Sequence, residues 1–153
     1  MNQDNTNTLF ERYARLYQGR TLSLQESRMS EGFACGDGWF GLIDRLSSRI
    51  EVECERLRVE EEWLEVQLPI AVQVKEKLGL LRFRLGARSR HLFYGNKTIY
   101  ALIEMARVES EHTCELCGFP GTLRKLDSGV QTLCYDCFQM KSKSAVHGHR
   151  GRP

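Results

Sequence analysis

The chain has 153 residues, 41% hydrophobic and 27% charged, enough apolar content for one core with at most a small appended module. Lysine and arginine number 22 against 20 aspartates and glutamates, a formal net charge of +2, so the whole molecule makes no general demand for nucleic acid. No apolar run reaches the length of a membrane span, and the polar start MNQDNTNTLF lacks the basic and apolar regions of a secretory signal, so a cytoplasmic protein with no membrane partner is expected.

Residues 1–7 read as loose. Thr8 and Glu11 have capping-box spacing, and Leu9, Phe10, Tyr13, Leu16 and Tyr17 recur with helical period, so a first helix is expected near 8–18, closed by Gly19. Residues 20–36 are irregular, with Leu22, Leu24, Met29 and Phe33 as candidates to pin them to the core. Asp37 has the chemistry of an N-cap for a second helix of about 20 residues. Trp39, Ile43, Leu46, Ile50 and Cys54 form its buried stripe, and Glu60-Glu61-Glu62 end it or form a solvated loop.

The period then changes from three or four to two. Trp63, Glu65, Gln67 and Pro69 alternate with Leu64, Val66 and Leu68; Ile70, Val72 and Val74 alternate with Ala71, Gln73 and Lys75; Leu81, Phe83 and Leu85 alternate with Arg82 and Arg84. This pattern predicts two or three antiparallel strands between about 63 and 86, with Gly79 in a turn and Pro69 at a strand end or edge. Arg82 and Arg84 then share an outer face. Residues 87–97 form a loop turning at Gly95-Asn96. A third helix follows over 98–111, with Ile99, Leu102, Ile103 and Ala106 on its apolar face.

Six cysteines are present, and four of them, Cys114, Cys117, Cys134 and Cys137, make two Cys-x-x-Cys pairs sixteen residues apart. Four thiolates complete a tetrahedral shell with no position left for water, which points to one structural Zn²⁺. A redox pair or an iron–sulfur cluster are the alternatives. Gly118 and Pro120-Gly121 supply turn chemistry after the first pair. Thr122-Leu123-Arg124 and Val130 to Leu133 pair as a hairpin about Asp127-Ser128-Gly129. His112 is a competing ligand or a surface group, and His147 and His149 lie in a Gly/Arg tail. The expected organisation is an α+β domain over 1–112, a zinc ribbon over 113–140 and a basic flexible tail over 141–153. The fold class is therefore α+β, with three main helices, a small antiparallel sheet and a C-terminal ribbon.

Charge is unevenly distributed. Glu51 to Glu65 hold seven acids and two arginines, Lys75 to Arg107 hold eight cations and two acids, and Lys141, Lys143, Arg150 and Arg152 follow the last cysteine. Lys75, Lys77, Arg82, Arg84, Arg88, Arg90 and Lys97 are interleaved with His91, Phe93 and Tyr94. Guanidinium groups suit phosphate or carboxylate, and aromatics suit bases or a protein interface. A solvated strand face with Phe93 in the core is the plain alternative. Cys54 falls on the apolar stripe. Cys35 precedes Gly36-Asp37-Gly38 with no base at a recognisable position, so it is not expected to be a nucleophile. Asp37, Asp44 and Glu76 beside Lys77 raise a metal-dependent nuclease, but Leu78 stands where the strand lysine of such a site belongs.

Three stretches occur together: Cys35-Gly-Asp-Gly-Trp-Phe-Gly-Leu-Ile-Asp44, Gln73-Val-Lys-Glu-Lys-Leu-Gly-Leu-Leu-Arg-Phe83, and Thr113-Cys-Glu-Leu-Cys-Gly-Phe-Pro-Gly121 leading to Leu133-Cys134. Their order resembles a family of small bacteriophage and prophage zinc-ribbon proteins, over about residues 33–137. The resemblance implies a phage or mobile-element setting inside a bacterial host cell and carries no catalytic assignment. The basic-aromatic segment 87–97 departs from that family's pattern. The expectation is a non-catalytic binding protein that engages a host protein or nucleoprotein complex, with anti-CRISPR inhibition as one concrete form. The acidic segment 51–65 could then imitate nucleic-acid charge. Direct binding of nucleic acid is the second expectation and metal-dependent hydrolysis the third.

Overall fold

A computed structural model describes the backbone of residues 1–87 and 95–148 and the side chains up to 143. Arg88, Arg90, His91, Phe93 and Tyr94 of the candidate surface, and the side chains of His147 and His149, lie outside the described residues.

The apolar stripe seen in the sequence produces the longest helix, α2 (Phe40–Glu60). Ile43, Leu46, Ile50, Cys54 and Leu57 recur on one face and are almost wholly removed from water. Burial of each large side chain contributes roughly 1.5–3 kcal/mol. The helix stops at the acidic run, where Glu62 takes a left-handed φ of 54°. α3 (Lys97–Ser110) packs against α2 through Ile99, Leu102 and Ala106, its first turn capped by the Asn96 side chain.

The first helix begins earlier than the capping box indicates. α1 runs Gln3–Arg12, with Asn2 as N-cap accepting the Asn5 N–H at 2.8 Å. Thr8 donates its hydroxyl to Asp4 O within the helix and starts nothing. Residues 1–7 are therefore ordered: the Met1 ammonium donates to the carbonyls of Phe33 and Cys35, and Thr6 is buried. Leu16 and Tyr17 remain in the core but follow the helix in successive turns. Asp37 is also corrected. It opens a single 3-10 turn, Asp37–Trp39, ahead of α2 and makes no side-chain cap there; its Oδ1 accepts the Asn2 N–H and the Asn5 amide instead.

Two strands form, not three: β1 (Pro69–Lys77) and β2 (Leu80–Ala87), paired antiparallel. The alternation over 63–68 folds as an irregular segment with a 3-10 turn at Glu65–Gln67. Gln67 closes it by accepting the Leu64 N–H at 2.7 Å, and Leu64 and Val66 stay largely in solvent. Among the described residues no strand pairs with it. β1 and β2 join through Leu78 and Gly79, both at positive φ (56° and 82°), a tight turn whose twist suits a hairpin. Holding leucine left-handed costs about 1–2 kcal/mol. A bulge between Ala71 and Gln73 frees Val72 O for the Arg28 N–H. Ala34 bridges the same edge by donating to Val74 O and accepting from Glu76 N, so Met29 and Phe33 reach the core while Leu24 remains half exposed.

The C-terminal region supplies a second two-stranded antiparallel sheet, β3 (Thr122–Leu126) and β4 (Gly129–Leu133), then α4 (Tyr135–Gly148). The tail read as flexible from 141 is thus helical as far as Gly148, because the helix begun at the last cysteine pair continues through it. Among the described residues, four helices and two small antiparallel sheets make an α+β fold that includes a four-cysteine, zinc-ribbon-like element.

Candidate functional site

The sequence places the two cysteine pairs on different local structures. Cys114 and Cys117 sit on a turn closed by Gly118 N–H to Cys114 O at 2.9 Å, with Gly118 at φ 79°. Cys134 and Cys137 flank the start of α4, where the Cys137 N–H points at Cys134 Sγ, 3.4 Å away. That helix end favours thiolate. The β3–β4 hairpin folds the second pair back onto the first. All four sulfurs lie within 4.8 Å of one another, and Cys117 and Cys134 approach to 3.6 Å. Tetrahedral bonding to one metal at about 2.3 Å would set sulfurs about 3.8 Å apart, so the cluster can hold a metal ion. Burial pushes the Cys114 thiol up, but the backbone N–H groups of Cys134, Cys117 and Leu116 outweigh it and bring it to about 7. Burial and the neighbouring sulfurs push Cys137 up. A cation among them removes that competition. His112 is exposed and stands outside the cluster.

The first cysteine turn is braced by the Gly36–Trp39 segment. Gly38 N–H donates to Glu115 O at 2.8 Å, Gly36 N–H to Glu115 Oε1 at 2.9 Å, and Trp39 Nε1–H to Thr113 O at 2.8 Å. A Cβ on Gly38 would come within 2.3 Å of Cys114 O and 2.4 Å of Gly118 N, which explains the spacing of small residues in Gly-Asp-Gly-Trp. Glu115, 4% exposed, also accepts from Gln131 Nε2, whose Oε1 takes Lys141 Nζ at 2.6 Å. Burial raises the Glu115 carboxyl above its ordinary value. Sequence reading passed over Glu115; its one signal was an acid enclosed between two ligand cysteines.

The remaining candidates separate. Cys35 and Cys54 are buried, and burial lifts their thiols to about 12 and about 11. Asp44 accepts from Arg12 Nη1 at 2.7 Å and from Tyr13 Oη at 2.9 Å, Glu76 accepts the Gly79 N–H at 2.5 Å, and Asp37 is held by Asn2 and Asn5. Five of the seven glutamates of the acidic run are paired with three arginines, Arg15 with Glu51, Arg56 with Glu53, Glu60 and Glu61, and Arg58 with Glu55, so the run stays net negative.

The hairpin is different. Lys75 and Arg82 are directly opposed across the ladder, as are Gln73 and Arg84, so Lys75, Lys77, Arg82 and Arg84 share the outer face. Among the described residues none of these four has an acidic partner. Lys97 opens α3 and belongs to a separate element. Comparison of the chain with protein-family models, with curated proteins and with solved structures finds no match. Among the described residues no helix is long and apolar enough to cross a membrane.

Proposed function

We propose that the chain is a non-catalytic binding protein that engages a host protein or nucleoprotein complex through the outer face of β1 and β2, with one Zn²⁺ in the four-cysteine cluster as scaffold. The observation that carries this reading is a set of four cations on one strand face, none of which has an ion-pair partner among the described residues. Opposed like charges weaken a hairpin by roughly 0.2–1 kcal/mol, so Lys75 facing Arg82 makes physical sense when an anionic partner covers both. The motif resemblance adds a phage setting, in which anti-defence inhibition of the anti-CRISPR kind is the concrete form. Such inhibition needs charge and shape complementarity and no turnover. The absence of converging carboxylates among Asp37, Asp44 and Glu76, each engaged elsewhere, supports a non-catalytic role.

Zinc is favoured by an all-sulfur, closed shell. Elemental analysis of freshly purified protein should give one zinc per chain with no visible absorption band; stoichiometric iron would overturn the assignment. Direct nucleic-acid binding by the same four cations is the second reading. Pull-down from bacterial lysate with and without nuclease separates the two, since a protein contact survives digestion. In either case Arg82→Glu with Arg84→Glu should abolish capture, and affinity should fall steeply with salt. Capture unchanged by the double reversal would refute the face.

A further inference from the structure

The cationic strip ends at an apolar hollow. Leu80, Arg82 and Arg84 lie on the same face of β2 at alternate positions. Leu80 also lines a cavity of about 370 Å³ together with Thr122 and Leu123 of β3 and with Glu111 and His112 after α3. Leu80 and Leu123 give it two aliphatic walls. Leu123 is 58% exposed, and Leu78, at the turn tip beside it, is 69% exposed and held left-handed. The junction is fixed: Thr132 Oγ1 donates to Gly79 O at 2.7 Å, and Leu81 N–H to Ser110 Oγ at 2.9 Å. Glu111 at the rim is held away by Arg107 at 2.7 Å, a guanidinium it shares with Glu104.

Resting on the proposed role of the β1–β2 face, we infer that its partner is an acidic protein segment carrying an apolar anchor, with the acids on Lys75, Lys77, Arg82 and Arg84 and the anchor in the hollow of Leu80, Thr122 and Leu123. Charge complementarity selects the acids. The hollow favours an anchor of protein type: Leu80 and Leu123 are its aliphatic walls, and among the described residues lining it the His112 imidazole is the single ring, whereas a strand held without sequence preference needs several rings on which successive bases stack. An apolar side chain needs only dehydrated aliphatic walls. From Leu80 to Arg84 the strip spans about 13 Å at the rise of a strand, the length of a short extended peptide.

Fluorescence anisotropy with three labelled probes tests this on the zinc-loaded chain: a short oligoglutamate peptide ending in Phe, the same peptide without Phe, and an oligothymidylate of equal charge. The Phe peptide should bind at least about tenfold more tightly than the other two. Leu123→Ser, which removes a wall, and Thr122→Trp, which fills the hollow, should each erase that preference. Undiminished binding of the Phe-free peptide would show that the fold is intact. Equal affinity for the two peptides, or tighter binding of the oligonucleotide, overturns the inference; if Arg82→Glu still abolishes binding, the cationic face itself survives. No binding of any probe, or binding indifferent to Arg82→Glu, overturns both.

Discussion

Two cysteines and one aspartate show how environment sets the chemistry of a side chain. Cys35 and Cys54 have thiols lifted by burial to about 12 and about 11, so thiolate is scarce at any ordinary pH. Alkylation at pH 8 followed by mass spectrometry should label neither in the native protein. A chelator should open the four-cysteine cluster first, and only denaturant should expose Cys35 and Cys54; rapid labelling of Cys35 would revive it as a nucleophile. Asp37 moves the other way. The Asn2 backbone N–H, opposed by partial burial and helped by the Asn5 amide, holds its carboxyl below the ordinary 3.8. The folded state then binds the proton less readily than the unfolded chain. Its contribution is fully present above about pH 4 and disappears as pH falls through the lower folded value. Asp37→Asn should flatten the acid limb of a pH–stability curve there and leave the slope at neutral pH unchanged.

At the scale of elements, the contact that matters most joins Gly36–Trp39 to the first cysteine turn. The two backbones touch so closely that any Cβ on Gly38 meets main-chain atoms, which cannot move aside as a flexible side chain can. Gly38→Ala should cost about 1–3 kcal/mol and weaken metal affinity in a competition titration. Gly41→Ala is the control. Inside α2 an added Cβ meets only Arg45 Nη1 at 3.4 Å, so stability should hold or rise by up to about 1 kcal/mol. Equal losses in thermal melts of both variants would deny the brace. The cationic hairpin makes the opposite point. Among the described residues no acid forms an ion pair with its four cations, whereas five of the seven glutamates of the acidic run are paired with Arg15, Arg56 or Arg58, and that run keeps a net negative charge.

For the whole molecule, the brace ties the metal cluster to the main core. Thr113 and Glu115 flank Cys114 and carry the bonds from Trp39, Gly38 and Gly36, and Trp39 is fully buried in that core. Chelation should therefore lower the melting temperature of the entire chain. Near-ultraviolet circular dichroism from Trp39 should be lost in the same transition as the far-ultraviolet signal. A Trp39 signal that stays native after chelation would mean that the four-cysteine element folds and unfolds alone. Structural zinc shells release roughly 10–16 kcal/mol on binding, enough for the effect to be large.

Several features were determined by local sequence alone. The cysteine spacing defined the cluster, the period of three to four defined α2 and α3, and Gly79 and Asp127-Ser128-Gly129 marked the two turns. Each rests on residues near one another along the chain, where geometry follows from periodicity and turn chemistry. The rest needed the tertiary structure. The alternation at 63–68 could not reveal that it would fold as an irregular segment with a 3-10 turn instead of a strand. Thr8 looked like a cap until Asn2 and Asp37, 35 residues apart, met and started α1 earlier. Gly36 found Glu115 across 79 residues. Which charges would be paired was equally hidden, because an arginine pairs with whichever acid folding brings beside it, and among the described residues Lys75, Lys77, Arg82 and Arg84 have no ion-pair partner.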